Sequence, residues 1–191
     1  MVKIGVKYYI LVVYVIIFGG FRSYSQTVID KNLVPNSSLE NFRKKSGNIR
    51  AAVPWTPIGS VDYYQEPIKN DTSNLRGGHT GNCYAGLRFQ KNYKEFMQVK
   101  LAEPLRRGNK YQFEMFVRLG FWSNALIRSL GANFSKGGSQ DVNMVVNKTN
   151  TIDTICKKGG IGENYQWVRI TGVYQADGGE KYMTIGNFSP S

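Results

Sequence analysis

The chain has 191 residues, with 25 Lys and Arg against 13 Asp and Glu, a formal net charge of +12, one histidine and two cysteines. The single histidine, His79, excludes a zinc site built from three histidines. The basic excess favours an anionic neighbour such as lipopolysaccharide, an acidic glycan or nucleic acid. Solvated loop charge is the preferred alternative, because the clusters are short and separate: Arg43-Lys44-Lys45, Arg106-Arg107 and Lys157-Lys158.

Residues 1–25 have the pattern of a secretory signal peptide. A basic start precedes an unbroken apolar run from Tyr8 to Phe18, and small residues follow before Gln26. As a helix this run reaches about 16 Å, which is short of a hydrocarbon core of roughly 30 Å, so cleavage is preferred over an uncleaved anchor. The prediction is an exported protein whose residues 26–191 form a single domain with no integral membrane segment.

Alternation of apolar and polar residues with a period of two predicts strands along the rest of the chain. In residues 110–119, one face is apolar and the other carries Gln112, Glu114 and Arg118. Residues 95–105 alternate similarly, and the turn at 106–110 predicts that the two strands form a hairpin. The apolar face of 110–119 comprises Tyr111, Phe113, Met115, Val117 and Leu119.

The C-terminal part repeats this pattern. Residues 167–176 place Val168, Ile170 and Tyr174 opposite polar residues, and the glycines of ADGGEK predict a turn into a second hairpin with residues 181–188. Further strands are predicted at 83–89 and 129–135. Many short strands, 21 glycines and no helical period predict an all-β antiparallel sandwich or jelly roll.

Cys83 and Cys156 are the only cysteines, and export would place them where a pair can oxidise. A bridge between them would stabilise the fold by roughly 4 kcal/mol in the chain-entropy model. The alternative is two unpaired buried thiols, because spacing alone does not show that the two side chains meet.

Aromatic residues in two predicted loops are candidate platforms for sugar rings, whose apolar faces stack on aromatic side chains. Trp55, Tyr63 and Tyr64 lie in one loop beside Asp62, and Trp122 lies in a second loop. The alternative is that the aromatic residues close the end of the core. That alternative is preferred for Trp55, and the two interpretations are balanced for Tyr63, Tyr64 and Trp122.

Other classes of function have weaker support. A Ser-His-Asp arrangement would depend on His79 alone, and two carboxylates for glycoside hydrolysis could be drawn from 13 acids by chance. For nucleic acid, Glu114 interrupts the face that carries Phe116 and Arg118, and export argues against such a partner. The prediction is therefore a protein that is not an enzyme and does not bind nucleic acid.

Six segments, in order, carry a family resemblance: NLVPNSSLENF, PWTPIGSVDYY, GNCYAGLRF, YKEFMQVKLAEPLRRGNKYQFEMFVRL, SLGANFS and TGVYQADGGEKYMTIGNF. From about residue 32 to 188, the chain resembles the galactose-binding-like jelly-roll domain of exported Gram-negative bacterial proteins. That domain often precedes a peptidoglycan-binding domain of the outer-membrane protein A type, or a secretion-sorting tail. The resemblance implies a two-sheet jelly roll related to carbohydrate-binding modules, located in the periplasm, at the outer membrane or outside the cell.

The resemblance also implies a structural calcium ion. Glu40 falls where such modules place the first acidic ligand, and the loop at Asn82 is the expected source of carbonyl ligands. The family continues into a final strand with paired aspartates, which the sequence to Ser191 does not contain. Because this second carboxylate is absent, a solvated turn acid is the preferred alternative for Glu40. The expectation is therefore a jelly roll without its last strand, and an anchoring domain that this chain does not include.

Together these inferences predict an exported, non-catalytic module that binds a cell-envelope or extracellular glycan through its loops. A structural or adhesive spacer of an outer-membrane-associated protein, with no sugar binding, is the second hypothesis. A glycan-active enzyme is the third. Exposure of Tyr63, Tyr64 and Trp122 together would separate the first hypothesis from the second, because a spacer has no reason to display them.

Overall fold

The computed structural model describes residues 6–10, 27–65, 77–90, 92–120, 123, 129–140, 151–155 and 167–189. Almost all regular structure in these ranges is β. The strands are β1 (Val6–Ile10), β2 (Thr27–Lys31), β3 (Thr56–Ile58), β4 (Asp62–Gln65), β5 (Cys83–Gly86), β6 (Phe89–Gln90), β7 (Tyr93–Lys94), β8 (Phe96–Lys100), β9 (Lys110–Val117), β10 (Ser129–Ser135), β11 (Thr151–Ile155), β12 (Val168–Gln175) and β13 (Tyr182–Gly186). One short 3-10 helix, η1, covers Ile49–Ala51.

The segment predicted as a signal peptide contributes one strand to the chain as described. β1 pairs antiparallel with β2, with Val6 opposite Lys31 and Ile10 opposite Thr27. The rest of residues 1–25 lie outside the described ranges, so the leader stays a prediction. Among the described residues, none forms a helix with the length and apolarity that a bilayer crossing requires.

The strands form several antiparallel sheets that do not close into a barrel. The largest has five strands in the order β11-β10-β13-β8-β3. The long β9–β12 pair forms the second layer, and β1–β2, β4–β5 and β6–β7 are further two-stranded sheets. The predicted all-β antiparallel sandwich is confirmed.

One core fills the space between the layers. In β9 the buried residues are Tyr111, Phe113 and Met115, as the alternation predicted. The rings of Phe134 in β10 and Tyr174 in β12 stack with centroids 4.5 Å apart, which joins the two layers directly. The five-stranded sheet contributes Met97, Val99, Ala132, Phe134, Met183 and Ile185 to the same cluster. The two layers therefore pack face to face.

Both predicted hairpins are wrong. β8 pairs with β3 and β13, whereas β9 pairs with β12 in the other layer. β12 and β13 are likewise in different layers. Turn residues indicate that the chain reverses, but they do not indicate which strand becomes the neighbour. The segments 101–109 and 176–181 are thus the first and second crossover loops between the layers.

The crossover loops hydrogen-bond to each other. The N–H of Leu105 donates to the carbonyl of Glu180 at 2.9 Å, and the N–H of Gly179 donates back to the carbonyl of Leu105 at 2.9 Å. The N–H of Gly108 donates to Ala176 at 2.8 Å, and that of Ala176 donates to Asn109 at 2.9 Å. The two loops therefore form one end of the sandwich together.

A buried carboxylate holds the second crossover loop. Glu180 is 1% exposed, and its two oxygens accept three hydrogen bonds. The Tyr174 hydroxyl and the Asp177 N–H donate to Oε1 at 2.7 Å each, and the Gly178 N–H donates to Oε2 at 2.9 Å. A buried charge is tolerated where donors replace its lost hydration, which is the case here.

Polar side chains are buried at two further positions. Glu95 accepts from the hydroxyls of Ser60 and Tyr93 and from the Arg88 N–H. Gln98, which was predicted on a polar face, is buried and donates to Thr184 at 2.7 Å. Conversely, Val168 was predicted on the apolar face and is 42% exposed. Alternation describes the two faces of a strand, but it does not show whether a loop covers the outer one.

A smaller apolar cluster of Ile58, Phe96 and Phe188 is separate from the main core. The rings of Phe96 and Phe188 have centroids 5.2 Å apart. Phe96 lies directly over the backbone of Gly186 at the end of β13. A β-carbon placed on Gly186 would lie 2.1 Å from Cδ1 of Phe96. Only glycine fits at this point of the sheet.

Candidate functional site

The predicted calcium ligands lie at a joint between two loops. Oε1 of Glu40 accepts the backbone N–H of Asn82 at 2.9 Å and that of Cys83 at 2.8 Å. Gly81 has φ of +87°, and a β-carbon there would lie 2.5 Å from the same oxygen. Glu40 thus fixes the start of β5, and a glycine at 81 is needed for its carboxylate to approach.

This arrangement does not fit the calcium site that the resemblance implies. Calcium needs six to eight oxygens that converge on it. Here Oε1 of Glu40 accepts two backbone N–H donors, whose positive ends lie where a cation would approach this oxygen. Asn82 offers its N–H to that carboxylate. Among the described residues, no group of three or more His, Cys, Asp or Glu side chains is placed to hold a metal ion.

Two of the predicted sugar-binding aromatic residues are buried. Trp55 is 1% exposed, and its Nε1–H donates to the carbonyl of Asn36 at 3.0 Å. Tyr63 is 2% exposed, and its hydroxyl donates to the carbonyl of Leu39 at 2.7 Å. Neither ring presents a face to a ligand. Each polar atom is hydrogen-bonded to a backbone carbonyl in the segment that follows β2. This is how a buried aromatic residue closes the end of a core.

The buried phenols predict a loss of stability in alkaline solution. Burial raises the pKa of Tyr63 and of Tyr174 well above the usual value of about 10. Below that value both the folded and unfolded states hold these protons, so stability does not change with their titration. Above it the unfolded state loses protons that the folded state keeps. The free energy of unfolding should then fall by about 1.4 kcal/mol per pH unit for each phenol.

Urea unfolding from about pH 9 to about pH 11.5 measures this slope. Tyr63→Phe should remove roughly half of the contribution of the two phenols. A Tyr63→Phe slope equal to that of the original chain would contradict the expectation.

Tyr64 lies on the opposite face of β4 from Tyr63, and it is 38% exposed. Its hydroxyl donates to Oδ2 of Asp62 at 3.3 Å. Its ring stacks on that of Tyr84, its direct partner across the β4–β5 pair, with centroids 4.8 Å apart and planes 15° apart. Of the predicted ligand-binding residues, Asp62 and Tyr64 are therefore brought together at the surface.

The stack continues to Arg118, directly after β9, and to Trp167, directly before β12. The guanidinium carbon of Arg118 lies 5.4 Å from the ring centroid of Tyr84 and 4.9 Å from that of Trp167. Both distances are within the range of cation–π attraction. Tyr84 and Trp167 also meet edge to face, with centroids 6.5 Å apart. The guanidinium therefore links two rings from different sheet segments.

His79 and Phe116 extend the array. Their rings stack with centroids 3.7 Å apart and planes 12° apart, and His79 meets Trp167 edge to face at 6.0 Å. Burial lowers the pKa of His79, which favours a neutral imidazole. We call the whole array the aromatic row, and its members are Tyr64, Tyr84, Arg118, Trp167, His79 and Phe116.

Trp122 and Cys156 lie outside the described residues. Cys83 is buried, and its thiol is free in this structure. Burial raises the pKa of that thiol, which disfavours the reactive thiolate. The predicted bridge between Cys83 and Cys156 stays a prediction. The joint exposure of Tyr63, Tyr64 and Trp122, which would have favoured glycan binding over a spacer, fails at Tyr63, which is in the core.

Five members of the aromatic row were not predicted as ligand-binding: Tyr84, Arg118, Trp167, His79 and Phe116. A signal for one was present, because Phe116 is an aromatic residue on the polar face of an alternating strand. Arg118 on that same face was considered only as a contact for nucleic acid. The row joins residues that are about a hundred positions apart, so only the strand pairing reveals it.

We compared the chain with known proteins in three ways. No protein-family model matches it, and neither a curated protein nor a solved structure matches it at the significance we required. The resemblance to the galactose-binding-like domain therefore stays an expectation. The function is therefore inferred from the geometry of the aromatic row.

Proposed function

We propose that this chain is an exported, non-catalytic β-sandwich module that binds a glycan through the aromatic row. The observation that carries the proposal is the stacked pair of Tyr64 and Tyr84, continued by Arg118 and Trp167 on one face. The apolar face of a pyranose ring stacks on aromatic side chains, and neighbouring polar groups bond its hydroxyls. Arg118 in the row and Asp62 beside it, which accepts from the Tyr64 hydroxyl, provide such polar groups.

The proposal moves the site from the loops onto the outer face of the strands. A row of several rings suits a chain of sugars better than one isolated sugar, because successive units can each meet a ring. We also propose that the chain is exported and is located in the cell envelope. The predicted signal peptide and the family resemblance support this location. A glycan or another envelope component is the proposed partner.

Native affinity electrophoresis against a panel of neutral and acidic polysaccharides tests the proposal. At least one polysaccharide should retard the folded chain. Tyr64→Ala and Trp167→Ala should each weaken binding by about tenfold or more, because loss of a central aromatic contact costs roughly 1.4 kcal/mol or more.

Phe42→Ala is the matched control, because Phe42 is 40% exposed and lies outside the aromatic row. It should leave the retardation unchanged. If no polysaccharide retards a folded chain, the result contradicts glycan binding and favours the spacer hypothesis. An equal loss in Phe42→Ala would show that the aromatic row is not the site.

A further inference from the structure

The fold gathers basic residues that are scattered in the sequence. Lys100, Lys110 and Lys136 are exposed and belong to three different strands or their flanks. The crossover loops bring them together with further exposed cations at one end of the sandwich. We call this group the basic end, and its members are Lys100, Arg106, Arg107, Lys110, Lys136 and Lys181.

Backbone contacts fix the proximity of these residues. The N–H of Leu101 donates to the carbonyl of Lys181 at 2.8 Å, and the N–H of Lys181 donates to the carbonyl of Ser135 at 2.8 Å. Lys110 lies opposite Gln175 in the β9–β12 ladder, just before the second crossover loop. A β-carbon on Gly178 would lie 2.8 Å from Cβ of Arg107, so these two loops touch there.

The charge of the basic end is not neutralised by the acids nearby. Glu180 is buried and accepts three internal hydrogen bonds, and Glu103 pairs with Lys31 at 3.1 Å. Asp177 is the remaining exposed acid of the crossover loops. In the part of the chain that the structure describes, none of the six cations forms an ion pair. Six uncompensated cations at one end create a strong positive potential.

The directions of the cations favour a flexible partner over a flat one. Lys110 extends from the outer face of one layer, and Lys100 extends from the outer face of the other. The outer faces of two packed sheets point in opposite directions, so a planar membrane surface could not meet both residues. A flexible polyanion can pass from one face, across the crossover loops, to the other.

The side chains of the basic end disfavour the binding of nucleobases and of lipid acyl chains. Large exposed apolar side chains in the described ranges are Phe42, Tyr64, Val168 and Val173, and none lies in the crossover loops. Single-stranded nucleic acid is bound by aromatic platforms, and peripheral membrane binding uses an apolar wedge. The basic end has neither. A hydrophilic polymer that carries anionic groups is the remaining class of partner that fits this surface.

We propose that the basic end binds an acidic polysaccharide, a flexible chain that carries sulfate or carboxylate groups. This site is separate from the aromatic row. Seven residue steps along β9, from Lys110 to Val117, span about 23 Å at 3.3 Å per residue. The proposal does not depend on glycan binding at the aromatic row, and a long acidic glycan could reach both sites.

Isothermal titration of the full chain with heparin and with polygalacturonate tests the proposal, and distinguishes sulfate from carboxylate. The triple variant K100Q/K110Q/K136Q should bind the preferred polymer about tenfold more weakly, since three exposed ion pairs of ordinary strength multiply to that factor. The matched control R43Q/K44Q/K45Q removes the same charge from exposed residues elsewhere. It should change the affinity less than about twofold.

Equal losses in the two triple variants would overturn the proposal, because they would reflect net charge alone. Binding of anionic lipid vesicles or single-stranded DNA at least as tightly as either polysaccharide would also overturn it. The conservative variant K100R/K110R/K136R should keep the affinity, and it covers the case in which the glutamine variant does not fold. Tyr64→Ala should leave heparin binding unchanged, which separates this result from the test of the aromatic row.

Discussion

Replacing Glu180 with alanine should lower the free energy of unfolding by about 4 kcal/mol. The substitution removes the carboxylate that accepts from the Tyr174 hydroxyl and from the N–H groups of Asp177 and Gly178. The buried Tyr174 hydroxyl would then lack its acceptor, and the second crossover loop would lose the group that closes it. Such a loss is a large fraction of the 5–15 kcal/mol that stabilises a typical domain.

Equilibrium unfolding in urea, followed by tryptophan fluorescence, measures this effect. Asp177→Asn is the control, because Asp177 is an exposed acid in the same loop, and it should change stability by less than about 0.5 kcal/mol. Glu180→Gln keeps the shape and one acceptor oxygen, so it should fall between the two. A loss below about 1 kcal/mol for Glu180→Ala would show that the carboxylate does not hold the loop.

Replacing Gly186 with alanine should destabilise the chain by about 3 kcal/mol. The added β-carbon would lie 2.1 Å from Cδ1, 2.6 Å from Cε1 and 2.9 Å from Cγ of Phe96. No rotation of the new methyl relieves this overlap, so either the Phe96 ring or strand β13 must move. Phe96 is fully buried against Ile58 and Phe188, which restricts that movement.

Thermal and urea unfolding of the variant provide the measurement. Gly47→Ala is the matched control, because a β-carbon at Gly47 meets nothing within 4 Å, and it should be neutral or slightly stabilising. The double variant Gly186→Ala with Phe96→Leu should lose less than the sum of the two single losses, because the smaller side chain relieves the overlap. Additive losses would indicate that the two residues are not in conflict.

The sequence predicted well what depends on a single strand. The inward set Tyr111, Phe113 and Met115 follows from alternation alone, because the side chains of a strand point to opposite faces in turn. Pairing was predicted poorly, since both hairpins are crossovers between layers. Glu95 and Glu180 were missed because a buried carboxylate is stable only with its donors, and those donors come from other segments of the chain.

In the candidate site, too, features of a single strand were predicted and features that depend on strand pairing were not. Tyr64 was predicted as a surface aromatic residue and is one, whereas its neighbour Tyr63 points into the core, as alternation along β4 requires. The rest of the aromatic row depends on the pairing of β4 with β5 and of β9 with β12. The basic end depends on the two crossover loops meeting. Local signals existed only for single members, such as Tyr64, Phe116 and the Arg106-Arg107 pair, and neither surface could be assembled from them.

The position of β13 has a consequence for how the chain acquires its structure during synthesis. β13 is the last described strand, yet it lies between β10 and β8, and only through it do these two strands belong to one sheet. A nascent chain that has emerged only as far as β12 lacks the strand that joins them, and both would carry unpaired edges. We therefore expect the ribosome to release most of the polypeptide before the sandwich can assemble. Folding of the sandwich is therefore expected to follow the synthesis of β13, and not to proceed strand by strand from the N-terminus.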